Sequence, residues 1–179
     1  MAIEQSEQYI FLVDDEPIQN EMLKDHISGL FQYKIKTYES GEDAVKDMAL
    51  NPAIMVLDFH LNSHLPNAEN GVEVLKRIKE MSPATQVIML SGQDKIEVAV
   101  DSMKFGAYDY VIKGETAFTR IENVLNKINE RQNHIEEIRT IKADNKTYKM
   151  IIGGMIAAIT VIIALAVFMV KKLDVSVPK

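Results

Sequence analysis

Apolar residues in the first 130 positions alternate between short unbroken runs and longer amphipathic stretches. Tyr9–Val13, Ile54–Leu57 and Gln86–Leu90 are runs of strand length that contain almost no polar residue. Lys34–Tyr38 and Asp109–Ile112 are weaker strand candidates. Strands buried on both faces lose the alternation of apolar and polar positions, as in a parallel sheet between two helical layers. The pattern therefore predicts five strands of a parallel sheet.

The amphipathic stretches between these runs predict five helices. Their expected bounds are Pro17–Leu30, Gly41–Leu50, Val72–Met81, Ile96–Phe105 and a last helix that starts near Thr116. Ser40 is a suitable N-cap for the second helix, and Gly29 and Gly106 are suitable terminators for the first and the fourth. Five strand–helix repeats predict a doubly wound α/β domain over residues 1–130.

A different apolar segment runs from Met150 to Val170, where 18 of the 21 residues are hydrophobic and none is charged. A helix of this length spans about 30 Å, the thickness of the hydrocarbon core of a bilayer. We therefore expect one transmembrane helix at 150–170 rather than a buried helix of a soluble core. A helical, basic linker at 131–149 precedes it, and a short tail at 171–179 follows. Lysines flank the segment on both sides, as expected at membrane–water interfaces: Lys146, Lys149, Lys171 and Lys172.

The linker leaves two interpretations open. Ile135, Ile138 and Ile141 recur at helical spacing, which fits a short coiled-coil stalk between paired molecules or an amphipathic segment at the membrane surface. Within the apolar segment, Gly153 and Ala157 form a small-xxx-small pair of the kind that supports helix association in lipid. A homodimer is therefore one expectation for the chain.

Charge divides the chain into the same two parts. Residues 1–130 contain 12 Lys or Arg and 22 Asp or Glu, whereas residues 131–179 contain 8 and 4. The net charge of −6 for the whole chain argues against a strongly basic nucleic-acid binder. The positive linker predicts that residues 1–130 lie on the cytoplasmic side of the membrane. The N-terminus shows no basic region followed by an apolar stretch, so we expect no signal peptide. The chain has no Cys, which excludes disulfides, thiolate metal sites and Cys nucleophiles.

Candidate chemistry lies at the residues that follow each apolar run. Asp14 and Asp15 follow the first strand, Asp58 the third, Ser91 the fourth and Lys113 the fifth. These strand ends meet at one edge of a parallel sheet, where ligands bind in such folds. Neighbouring carboxylates favour a divalent cation, and hard oxygen ligands suit Mg²⁺. A carboxylate beside Mg²⁺ can accept a phosphoryl group, while the lysine and the metal neutralise the developing charge.

Four motifs at these strand ends, FLVDDEP, MVLDFHL, VIMLSG and YDYVIKG, resemble those of the response regulator receiver domain (CheY-like) of two-component signalling. The resemblance covers residues 8 to 130 in the expected order and spacing, and it implies a flavodoxin-like fold. It implies that Asp58 is the phosphoacceptor. It also implies that Asp14, Asp15, Asp58 and the backbone carbonyl of His60 bind Mg²⁺.

The resemblance further assigns Ser91 and Tyr110 as switch residues and Lys113 as the lysine that contacts the phosphoryl group. Three features depart from the family pattern. The loop between Asp58 and Gly71 is longer than usual, Gly114 replaces the proline that usually follows the lysine, and Gly92 replaces the commoner alanine after the switch hydroxyl.

We expect a stand-alone response regulator because no sequence remains for an output domain, and the apolar segment predicts that a single span anchors it in the inner membrane of a bacterium. A histidine kinase or phosphotransfer protein would phosphorylate Asp58, and the change would switch binding to a downstream protein at the membrane. We expect no enzymatic activity beyond Mg²⁺-dependent self-phosphorylation and dephosphorylation. Two alternatives remain: a phosphorylation-independent interaction module, and a phosphatase with an aspartyl intermediate. The second is disfavoured because His60 stands where such phosphatases have an acidic residue.

Overall fold

Five parallel strands form a single sheet in the computed structural model, which describes residues 8–61, 70–92 and 96–174. In spatial order the sheet is β2-β1-β3-β4-β5. The direction of strand succession therefore reverses between β1 and β3, which is where doubly wound folds bind ligands. The predicted five-stranded parallel α/β architecture is confirmed. The strands are β1 (Tyr9–Val13), β2 (Lys34–Tyr38), β3 (Ile54–Asp58), β4 (Gln86–Ser91) and β5 (Asp109–Ile112).

The core lies on both faces of this sheet. Alternate strand residues such as Phe11, Met55 and Met89 form one buried cluster with residues of the helices that follow β2 and β3. Leu23 and Ile121, from the first and last helices, are also buried. The helices are α1 (Pro17–Ile27), α2 (Gly41–Lys46), α3 (Gly71–Met81), α4 (Ile96–Lys104) and α5 (Ala117–Asp174), with a 3₁₀ turn at Asp47–Leu50.

Two predicted helix ends are wrong. α1 stops at Ile27 because Ser28 adopts an extended conformation, and Gly29 follows with a φ of +81°. The second helix was expected to continue to Leu50, but its last four residues form the 3₁₀ turn. In that turn the carboxylate of Asp47 accepts hydrogen bonds from Lys36 and Tyr38 on β2. The predicted cap is confirmed, since the Ser40 hydroxyl accepts a hydrogen bond from the backbone N–H of Asp43 at 3.2 Å.

The chain divides into two compact units, Met1–Asn126 and Lys127–Lys179. The first unit contains the sheet, and the described residues of the second, 127–174, belong to α5. The predicted linker and apolar segment belong to this one helix. Within Ala117–Leu165, α5 contains one window whose length and composition would allow it to cross a membrane, and none of that window is buried inside the protein. Because length and composition alone support it, the transmembrane span stays a prediction.

Candidate functional site

Three carboxylates meet at the carboxyl edge of the sheet. Val13 pairs with Leu57 across β1 and β3, so Asp14 and Asp58, one residue further along each strand, are neighbours. Asp14, Asp15 and Asp58 each offer an oxygen atom, and these atoms lie within 4.8 Å of one another. Asp14 is 4% exposed and Asp58 is 2% exposed. The convergence that the strand-end pattern predicted is therefore present, and two of its three carboxylates are buried.

Lys113 bridges two of these carboxylates. Its Nζ atom lies 2.7 Å from Oδ2 of Asp14 and 3.1 Å from Oδ2 of Asp58. Its backbone N–H donates to the carbonyl of Ser91 at 2.8 Å, which extends the β4–β5 ladder to the lysine. Burial alone would lower the pKa of Lys113, but the hydrogen bond to Asp14 and the charges of both carboxylates outweigh it and raise that pKa. The lysine is therefore a fixed positive charge at neutral pH.

The two buried carboxylates differ in how their oxygens are used. Both oxygens of Asp14 have donors, since Oδ1 accepts from the backbone N–H of Glu16 at 3.0 Å and Oδ2 accepts from Lys113. Oδ1 of Asp58 is buried and has no hydrogen-bond partner among the described residues. An unpaired buried oxygen is costly, so its persistence indicates a binding or reactive position. Asp58 is thus the carboxylate with an oxygen available for chemistry.

The ionised form of Asp58 is disfavoured. Burial raises the pKa of its carboxyl, and the neighbouring charge of Asp14 raises it further. Lys113 and a backbone hydrogen bond from His60 act in the opposite direction without cancelling these effects. A cation beside the carboxylates would relieve the repulsion that contributes to the shift.

Two supporting residues were missed by the sequence analysis. Asn20 is 4% exposed, and its side-chain amide donates to the backbone carbonyls of Asp14 and Tyr38, both at 2.9 Å. Its signal was present in the sequence, because a polar residue occupies the same helical stripe as the buried Leu23 and Ile27.

Gly71, at the start of α3, is the second missed residue. A Cβ atom there would lie 2.3 Å from the carbonyl oxygen of Asp58, and the Gly71 N–H donates to the carbonyl of Phe59 at 2.9 Å. Only a glycine lets α3 approach the end of β3 this closely. No sequence signal indicated this contact, since it joins residues on opposite sides of the loop after β3.

The remaining predicted residues lie around the same edge. Ser91 is the last residue of β4 and is fully buried, and Tyr110 is half-buried on β5 and packs against the core cluster. His60 is the second residue after β3, its ring contacts that of Phe59, and the metal role of its carbonyl stays a prediction. A Cβ atom at Gly92 or Gly114 would meet nothing within 4 Å, so both leave open space beside the site. Most of the long loop after Asp58 lies outside the described residues.

The donor set fits a hard divalent cation. It consists of carboxylate oxygens, with one buried oxygen of Asp58 lacking a partner among the described residues. Mg²⁺ prefers such oxygen ligands and retains several waters, so a small number of carboxylates is sufficient. Asp14, Asp15 and Asp58 are the residues that would hold it.

Known proteins resemble this chain in both sequence and fold. The family model of the response regulator receiver domain matches residues 10–129. The nitrogen assimilation regulatory protein NtrX of Azorhizobium caulinodans is 29% identical over 146 residues, which are 79% of this chain and 30% of that protein. The alignments cover only 30% to 51% of the length of the first three curated relatives.

Two solved structures illustrate the likeness in fold. The receiver domain of a LuxO repressor from Vibrio parahaemolyticus has a TM-score of 0.63 and 21% identity, covering 74% of this chain and 97% of its own. TrrA from Thermotoga maritima, solved with Mg²⁺ and BeF, has a TM-score of 0.56 and 28% identity, covering 68% and 98%.

Receiver domains are signalling modules phosphorylated on an aspartate, and they interact with histidine kinases or phosphotransfer proteins. The carboxylate cluster at the ends of β1 and β3 is where such chemistry would occur in this fold. The sequence match over residues 10–129, together with the five-stranded sheet, shows that the chain belongs to the response regulator receiver domain family.

Proposed function

We propose that this chain is a response regulator anchored in the inner membrane of a bacterium, and that Asp58 accepts a phosphoryl group from a histidine kinase or phosphotransfer protein. The observation that carries the assignment to Asp58 is its buried Oδ1 atom, which has no hydrogen-bond partner among the described residues. Both oxygens of Asp14, in contrast, already accept hydrogen bonds.

The reaction is a transfer between two nucleophiles. An oxygen of the Asp58 carboxylate attacks the phosphorus atom of a phosphohistidine, a P–O bond forms and the P–N bond breaks, and the histidine leaves and takes up a proton. Lys113, within 3.1 Å of Asp58, offsets negative charge on the transferred group. When bound to the carboxylates, Mg²⁺ would neutralise further charge on the phosphoryl oxygens.

The switch would act through Ser91 and Tyr110. Ser91 ends the strand beside β3, and we expect its hydroxyl to donate a hydrogen bond to a phosphoryl oxygen on Asp58. Tyr110 lies on the next strand and already packs against the core, which allows a movement at Ser91 to reach β5. The exposed apolar residues Ile96, Val100 and Met103 of α4 and Ile112 of β5 would present the changed surface to a downstream protein.

The anchoring part of the proposal rests on the apolar half of α5. Its residues from Met150 onward that the structure describes are exposed, including Ile152, Ile156, Ile159 and Ile163. An exposed apolar helix of this length is unfavourable in water and favourable in a bilayer. Extraction of membranes at alkaline pH tests this part, since an anchored chain stays in the pellet.

Phosphorylation is tested by incubating the full chain with acetyl phosphate and Mg²⁺ and measuring the intact mass. The wild type should gain the mass of one phosphoryl group, and Asp58→Asn should gain none. Asp25→Asn, which changes an exposed carboxylate on α1, is the matched control and should behave as the wild type. An equal mass gain in Asp58→Asn would refute the assignment of Asp58.

A further inference from the structure

Charged residues in the part of α5 that precedes Met150 are segregated around the helix. Successive residues of an α-helix are about 100° apart around the helix axis. Arg131, Lys142 and Lys149 therefore lie within about 20° of one another. Arg139 and Lys146 lie within about 60° of Lys142. These five residues define the basic face. By the same spacing, Glu130, Glu136 and Glu137 lie more than about 100° away from Lys142. The helix therefore has a basic and an acidic side.

The basic face is exposed and offers several charges to a ligand at once. Lys142, Lys146 and Lys149 are exposed and lie together on one side of the helix, beside Asn145 and Met150. Within the described part of the chain, none of these three lysines forms an ion pair, whereas Arg139 contacts Glu136 on the acidic side at 3.5 Å. Three ammonium groups thus lie on one side of the helix without a counter-charge among the described residues.

The three lysines of the basic face would lie at the height of a membrane interface. With a rise of about 1.5 Å per residue, Lys146 lies about 6 Å and Lys142 about 12 Å before Met150, where the uncharged apolar segment begins. The headgroup region occupies about 5–8 Å on each side of a bilayer, and electrostatic attraction extends about 8 Å further at physiological salt. Lys146 and Lys149 would therefore lie among headgroups, and Lys142 within reach of their charge.

The same face is unsuited to pairing with a second copy. Counting in heptads from Ile135 and Ile138, the next seam positions are occupied by Lys142, Asn145 and Lys149. In a parallel coiled coil each lysine would face its equivalent in the partner, which places like charges in contact. Charge complementarity thus favours an anionic surface over a coiled-coil stalk.

We propose that the basic face of α5 binds the phosphate groups of anionic phospholipids. The proposal rests on the membrane insertion proposed above, and it adds a lipid preference and an orientation for this side of the helix. Anionic lipids around the anchor would then be enriched where the chain meets the bilayer.

The test uses the full chain reconstituted in phosphatidylcholine bilayers with a trace of spin-labelled phosphatidylglycerol or spin-labelled phosphatidylcholine. Electron paramagnetic resonance measures the fraction of each lipid held by the protein. The wild type should associate with phosphatidylglycerol about fivefold more strongly than with phosphatidylcholine, or more. A single lysine near an anionic surface already raises the affinity by about that factor. The preference should fall steeply as salt is raised.

The decisive variant is K142Q/K146Q/K149Q, which should lower the preference for phosphatidylglycerol by about fivefold or more. E130Q/E136Q/E137Q, on the acidic side, is the matched control and should keep the preference or increase it. The lysines beyond the apolar segment are retained in every variant, so the difference reports on the basic face alone. Equal association of both lipids with the wild type, or an unchanged preference in the lysine variant, would overturn the proposal.

Two further readouts separate the competing outcomes. Extraction at alkaline pH is performed first. A chain that leaves the bilayer contradicts the proposed anchoring. A chain that stays inserted but shows no lipid preference contradicts only the proposed lipid binding. Because the chain has no Cys, Asn145→Cys introduces a single thiol on the basic face. Near-complete disulfide formation between copies in the bilayer would assign this face to self-pairing and overturn the lipid-binding proposal. A product that stays monomeric supports lipid binding.

Discussion

Replacing Gly71 by alanine should damage both stability and phosphorylation, although a glycine at the start of a helix is ordinarily a site where alanine stabilises. The new Cβ atom would lie 2.3 Å from the carbonyl oxygen of Asp58 and 2.8 Å from Cα of Phe59. Both contacts are backbone atoms at the end of β3, so neither can rotate away as a side chain would. Asn70 also holds the helix start in place through a capping box with Glu73.

The expected magnitude follows from two opposing effects. Alanine in place of glycine at an unstrained position gains about 0.4–1 kcal/mol through the unfolded state. Overpacking a close contact costs about 1–3 kcal/mol, and contacts with backbone at 2.3 Å fall at the upper end of that range. The net loss in the free energy of unfolding should therefore be about 2 kcal/mol. Any relaxation moves the backbone of Asp58, so acetyl phosphate should also phosphorylate the variant more slowly.

Urea unfolding of the full chain in detergent, followed by tyrosine fluorescence, measures this loss. Five of the six tyrosines lie before residue 127, so the signal reports mainly on the sheet domain. Gly114→Ala is the matched control, because a Cβ atom there meets nothing within 4 Å. It should be neutral or slightly stabilising. A Gly71→Ala variant as stable as Gly114→Ala would refute the reasoning.

Three further predictions concern the carboxylate site. The raised pKa of Asp58 means that its ionised form destabilises the folded protein at pH 7, so Asp58→Asn should unfold at a higher urea concentration than the wild type. The difference should vanish below about pH 3.9, where the aspartate is protonated in the unfolded chain as well. The control Asp25→Asn should show no such difference. Mg²⁺ at about ten times its Kd should raise the free energy of unfolding of the wild type by about 1.4 kcal/mol. Asp14→Asn should lose this stabilisation if Asp14 is a metal ligand. Asn20→Leu should lower the free energy of unfolding in urea by about 1–3 kcal/mol, because the backbone carbonyls of Asp14 and Tyr38 lose their donor. A variant as stable as the wild type would contradict a supporting role for Asn20.

Strand positions were predictable because burial on both faces leaves an unbroken apolar run. The exact strand ends were not, since Asp58 and Ser91 belong to β3 and β4 rather than to the loops after them. Ladder hydrogen bonds continue past the last apolar residue, from Phe59 to the carbonyl of Leu90 and from Lys113 to that of Ser91. These hydrogen bonds depend on the position of the neighbouring strand, so the apolar pattern of a single strand does not predict them.

The continuity of α5 was only partly predictable. Its apolar pattern changes at the linker and again at Met150, which suggested three successive elements. No Gly or Pro occurs between Ala117 and Ile152, however, so nothing in the backbone interrupts the helix where the pattern changes. The helix thus follows local propensity, whereas the close approach at Gly71 depends on a tertiary contact that no local pattern encodes.

Strand-end position alone makes Asp14 and Asp58 equivalent candidates for the phosphoacceptor, and only their partners distinguish them. Asp14 is bound on both oxygens, and its bond to Lys113 keeps the lysine close to Asp58. One lysine faces three carboxylates, so the cluster carries an excess of negative charge, and phosphorylation raises the charge on Asp58 itself from −1 to about −1.5 to −2. A doubly charged cation restores the balance that Lys113 cannot provide alone. Phosphoryl transfer to Asp58 should therefore depend on a divalent cation more strongly than on Lys113.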